Sequence, residues 1–192
     1  LCGDCLESVV DVIRLKTAAI TVIEYLLGFL ALAIFVAYAY AQGTPTVPRW
    51  EAAFKLGAVL AALEIAILFA RKPPMNRLIL GGNLWLLAGG LAFLFGQEKF
   101  LRLYESMGEA SVFAAILCVG IIATVFSNNG FVGVQGPRNK VLTYSAYLLI
   151  ATAMSFGTAI VFKGNVKIAG VLPLTALAFF HRYLRHKLRN YP

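Results

Sequence analysis

The lengths of the apolar runs constrain this chain most. Residues 17–41 (TAAITVIEYLLGFLALAIFVAYAYA) and 51–70 (EAAFKLGAVLAALEIAILFA) each reach the roughly 17–25 residues that a helix needs to cross the hydrocarbon of a bilayer. Four further runs follow at 77–95, 110–126, 141–162 and 166–180. No water is available in hydrocarbon to satisfy backbone N–H and C=O groups, so runs of this kind fold as helices. Together they predict an all-α, polytopic integral membrane bundle of six transmembrane helices arranged as three hairpins, with a short N-terminal amphipathic helix.

Composition supports this class. Of 192 residues, 60% are hydrophobic and only 14% charged, and the mean hydropathy is +0.79. A soluble domain is about half apolar and about a quarter charged. An ordinary water-soluble fold is excluded, and little chain is left for a separate soluble domain. The expected divisions are an N-terminal amphipathic segment at 1–16, a transmembrane domain at 17–181 and a basic cytoplasmic tail at 182–192. In the first, Leu6, Val9, Val10 and Ile13 recur at helical spacing. No basic region with a cleavage site precedes the first run, so no signal peptide is expected.

The net charge of +8 points to lipid rather than nucleic acid, because the basic residues sit in short connections and near the C-terminus. Arg14, Lys16, Arg71, Lys72, Arg77, Arg138, Lys140, Arg182, Arg185, Lys187 and Arg189 fall on one side of a six-span topology. Arg49, Lys55, Lys99, Arg102, Lys163 and Lys167 fall on the other. The positive-inside rule then puts both termini in the cytoplasm. The partners implied are the bilayer, other membrane subunits or further copies of the chain, and no nucleic acid.

The connections and spans carry finer signals. Residues 96–109 have room for a short interfacial helix using Phe100, Leu101, Leu103 and Tyr104. Gly81–Gly82 and Gly89–Gly90 suit close helix approach, as does the stripe Thr152, Ser155 and Ala159. Pro173 should kink the last span. The Gly- and Asn-rich stretch 127–140 reads as a plain connector. Pro74-x-Asn76-Arg77 and Pro137-x-Asn139-Lys140 stand 63 residues apart, which bilayer thickness alone explains better than an internal repeat.

Chemistry is expected at two intramembrane carboxylates. Glu24 lies eight residues after Lys16, and Glu64 seven residues before Arg71. At a rise of 1.5 Å per residue both stand about 10–12 Å in from one side, and Asn83 about 9 Å in from Arg77. Glu64 shares a face with Gly57 and Ala61, and Glu24 shares one with Thr21 and Gly28, so both acids should point into the bundle. Two close carboxylates do not readily both ionise; they share a proton or bridge a cation. Ionisable groups at such depth mark transport or proton sites by default.

The expectation is therefore a small proton- or cation-linked transporter or channel subunit using Glu24, Glu64 and Asn83. The alternative is a non-catalytic accessory or assembly subunit of a larger membrane complex. An enzyme is the third class. It would rest on Cys2 and Cys5, a terminal C-x-x-C that is a weak metal or redox candidate with no second ligand pair beside it. No cofactor is implied. Cys118 reads as a packing residue, and His181 and His186 as surface residues of the tail.

Overall fold

The computed structural model describes residues 28–43, 45–70 and 76–189. Among these the chain is all-helical. It has seven α-helices, α1 (Leu30–Tyr40), α2 (Val47–Ala70), α3 (Arg77–Leu94), α4 (Glu98–Met107), α5 (Ala110–Phe126), α6 (Arg138–Val161) and α7 (Leu172–Arg189). A π-helical turn, Lys167–Val171, leads into α7. By length and hydropathy α2, α3 and α6 can each cross a membrane, and a fourth crossing is counted if α4 and α5 are one bent unit.

α4 meets α5 at 104°. Its sequence, EKFLRLYESM, is strongly amphipathic, so it suits an interface better than a hydrocarbon core. Gly108, at φ +55°, makes the sharp turn between the two helices.

α3 is the hub, and its glycines explain why. A Cβ on Gly81 would lie 2.8 Å from the Ile116 Cα of α5, and one on Gly82 2.7 Å from the Leu32 Cδ1 of α1. On Gly90 it would lie 3.0 Å from the Phe54 carbonyl oxygen of α2. Gly81 and Gly90 thus admit the backbones of α5 and α2, and Gly82 seats the Leu32 side chain of α1, which is how helices gain van der Waals attraction where lipid is as apolar as the protein. The glycines that weaken a helix in water here set the packing of three.

Around this hub successive helices lie side by side with ends reversed. Glu64 meets Ala31 and Asn83, while Trp50 meets Tyr40 and Tyr104. Phe54 is the centre of an aromatic cluster with Phe35, Trp50, Trp85, Phe93 and Tyr104, with ring centroids 4.7–5.9 Å apart. Outward faces are apolar: Leu63 is 58% exposed, Phe69 70%, Met154 69% and Val161 76%. A surface of that character is matched to acyl chains or to other membrane helices.

The start of α7 departs from a simple proline kink. Pro173 has no N–H to donate and stands in the first turn of α7, and the turn before it widens so that the Leu172 N–H reaches the Lys167 carbonyl. The π turn absorbs the proline. The two Pro-x-Asn-basic motifs are not equivalent. Asn76 caps α3, its Oδ1 accepting from Leu78 and Ile79 N–H, whereas Asn139 is already inside α6.

Candidate functional site: a carboxylate held between three helices

Glu64 continues the buried stripe of α2 that contains Phe54, Gly57 and Ala61. Its spacing from Ala61 keeps it on the face turned to α1 and α3. Phe29, just before α1, leaves helical geometry at φ −102° and ψ 4°. The first N–H groups of a helix have no partner in their own ladder. Glu64 supplies one, its Oε1 accepting from the Ala31 N–H at 3.0 Å. A carboxylate at a helix N-terminus also faces the positive end of the helix dipole.

The other oxygen, Oε2, accepts from Asn83 Nδ2 at 2.7 Å. Asn83 is the seventh residue of α3 and is wholly buried. The site therefore ties α1, α2 and α3 together through one half-buried acid. Hydrogen bonds to a charged group contribute about 1.5–3 kcal/mol each.

One atom in this arrangement has no partner. Asn83 Oδ1 is buried and accepts no hydrogen bond. An orphaned buried acceptor costs about 1–3 kcal/mol, so its persistence calls for a reason. Chemistry supplies one. An ionised Glu64 needs donors, and the Asn83 amide N–H provides one. A protonated Glu64 needs an acceptor, and a half-turn of the same amide presents Oδ1. The same half-turn would bring a neutral oxygen beside the carboxylate, so that Asn83 and Glu64 together offer oxygen ligands to a small cation.

The residues read from sequence are thus placed unevenly. Glu64 and Asn83 are brought into direct contact. Glu24, Cys2 and Cys5 lie outside the described residues, as do the remainder of the 1–16 segment and the final residues 190–192.

A second cluster lies at the Trp50 end. Tyr40 Oη donates to Glu109 Oε1 at 3.4 Å, and Glu109 Oε2 accepts from the Gly164 N–H at 3.2 Å. Lys163 Nζ donates to the carbonyls of Glu105 and Ser106, closing the end of α4. Burial, with Tyr40 and Glu109 close by, pushes the Tyr104 phenol above its usual range. These contacts fasten the turn after α6 to the interfacial helix.

Three sequence readings are corrected by the coordinates. The 127–140 stretch is not a plain connector: Phe131 and Val132 are wholly buried, and Gly130 and Gly133, at φ +54° and +70°, let it fold back into the bundle. His181 is not a surface residue but fully buried, its Nε2 donating to the Val132 carbonyl at 3.0 Å. Cys118 is exposed on α5 rather than packed.

The missed signal for His181 was periodicity. Leu177, His181, Leu184 and Leu188 recur at helical spacing and form the buried face of α7 through the basic tail.

No family model matches the chain, and neither a curated protein nor a solved structure does.

Proposed function

We propose that the chain is an integral membrane protein of six crossings in three hairpins, both termini cytoplasmic, in which Glu64 and Asn83 bind a proton or a small cation. The single observation that carries this reading is the unpartnered, buried Oδ1 of Asn83 beside a carboxylate whose two oxygens both accept hydrogen bonds. A purely structural tie would be better served by an amide with both ends bonded. Glu24 joins the proposal from the sequence alone, as a second acid of the neighbouring crossing, seven residues before the Ala31 that Glu64 meets.

The reading is tested by reconstituting the full chain in liposomes and imposing a pH gradient or a sodium gradient. Glu64→Gln keeps an acceptor for the Ala31 N–H but removes the titrating group. Flux in the wild type that falls about tenfold or more in Glu64→Gln is expected, since loss of a charged hydrogen-bonding group at a binding site costs on that order. Wild-type liposomes as tight as empty ones, or equal flux in the variant, would sink the reading.

A second reading draws on the same bonds. Because Glu64 joins three helices, it also suits a non-catalytic accessory or assembly subunit whose apolar outer faces meet other membrane chains. Under that reading Glu64→Gln and Asn83→Leu lower stability and leave no flux to lose.

A further inference from the structure

The folded-back loop after α5 builds a second polar feature, independent of the carboxylate node. It borders an open cavity of about 590 Å³ lined by Phe126, Ser127, Asn128, Asn129, Gln135 and Gly136. Two guanidinium groups from outside this lining converge on Ser127, one of the residues that border the cavity. Arg77 Nη2 donates to Ser127 Oγ at 2.5 Å, and Arg138 Nη1 donates to the Ser127 carbonyl at 2.6 Å. Their other partners are also neutral: the Gly130 carbonyl for Arg77, and the Thr124 and Val125 carbonyls for Arg138.

No carboxylate among the described residues pairs with either guanidinium. Among the described residues the ion pairs are Lys55–Glu51 and Arg102–Glu98, and neither involves this loop. A guanidinium carries five N–H donors, so these bonds leave both groups with donors to spare. The first turn of α6, which begins at Arg138, adds the positive end of a 24-residue helix, set against the carbonyl end of α5 that Arg138 caps.

The lining defines the chemistry. Asn128, Asn129 and Gln135 can donate to anionic oxygens and accept from hydroxyl groups. Paired guanidiniums match the several oxygens of a phosphate better than a single small anion, and the volume is too large for a halide. Phe126, 84% exposed at the rim, offers an apolar surface beside the polar lining. We infer that this cavity binds a phosphate-bearing anion, a phospholipid headgroup or a soluble phosphate, held by Arg77 and Arg138 and oriented by the carboxamides of Asn128, Asn129 and Gln135.

The test uses the full chain in detergent, titrated separately with short-chain phosphatidylglycerol, short-chain phosphatidylcholine and inorganic phosphate. Binding is read by native mass spectrometry and by hydrogen exchange of residues 127–137. Phosphatidylglycerol should slow exchange in the loop and bind about tenfold tighter than the zwitterionic lipid, with Arg138→Gln erasing that preference. Asn128→Ala with Gln135→Ala, both at exposed positions, should weaken it several-fold without touching the helix ends, and this decides the matter if Arg138→Gln fails to fold.

Arg182→Gln, an exposed charge on α7 outside the cavity lining, should leave binding unchanged. Protection by inorganic phosphate alone, at comparable affinity, identifies the source as soluble; protection only by the anionic lipid identifies it as a headgroup. Protection by neither, or an equal loss in Arg182→Gln and Arg138→Gln, would overturn the inference.

Discussion

His181 stands one residue past the last apolar run, yet it is wholly buried and bonded to the loop after α5. Because the Val132 carbonyl only accepts, the proton in the neutral ring resides on Nε2. His181→Leu removes the donor and leaves the Val132 carbonyl buried, so it should destabilise by about 1–3 kcal/mol. His181→Gln, whose amide N–H reaches a similar position, should lose less. Thermal unfolding of the solubilised variants checks this, and equal losses would mean that the bond to Val132 does not hold the loop.

At the scale of the helix, close approach through glycine does more than intrinsic propensity. Gly81 and Gly157 separate the two effects. A methyl group at Gly81 would press on the Ile116 Cα, a backbone atom that cannot step aside, so α3 and α5 must part. Gly81→Ala should destabilise by about 1–3 kcal/mol, the usual cost of overpacking. A Cβ at Gly157 would meet nothing within 4 Å. Gly157→Ala should be neutral or stabilise by up to about 1 kcal/mol, because alanine restricts the unfolded chain and favours helix. Thermal or denaturant unfolding of the two variants gives opposite signs if the hub packs as described; equal effects would mean that α3 and α5 are not held at that distance. This contrast also marks where sequence stops being informative. Apolar runs and prolines locate α3, α5 and α6, because hydropathy and helix breaking are local. The depth count brings Glu64 level with Asn83, because helical rise is regular. Which glycine faces which neighbour is not local, and neither is the return of Phe131 and Val132 into the bundle. Nor did a run dense in arginine announce that Leu184 and Leu188 pack inward, since its charges conceal a buried face only about one residue wide per turn.

For the molecule as a whole, the proposed topology makes a statement about sides that length alone does not. α5 has 17 residues and α1 has 11 described residues, so neither passes a strict length test for a crossing. Under the proposal they cross beside α3, whose ends theirs match: Arg77 at the start of α3 reaches Ser127 at the end of α5, and Tyr40 at the end of α1 reaches Glu109 at the start of α5. If α2, α3 and α5 all cross, Thr46 and Asn128 lie on opposite sides, separated by three passages. One more, α6, returns the chain to Gly164 on the side of Thr46, and α7 brings Arg189 back to the side of Asn128. Single cysteines at these four positions, in a background with Cys2, Cys5 and Cys118 replaced, test each passage in turn. The background is benign at Cys118 because that side chain is exposed. A membrane-impermeant maleimide applied to sealed vesicles of known orientation should label Asn128→Cys and Arg189→Cys from the cytoplasmic face, where the greater number of arginines and lysines falls. Thr46→Cys and Gly164→Cys should react only from the opposite face. Labelling of Asn128→Cys and Gly164→Cys from one side would mean that α6, the longest apolar helix in the second half of the chain, does not cross; the six-crossing arrangement would fall with it, while the contact between Glu64 and Asn83 would stand.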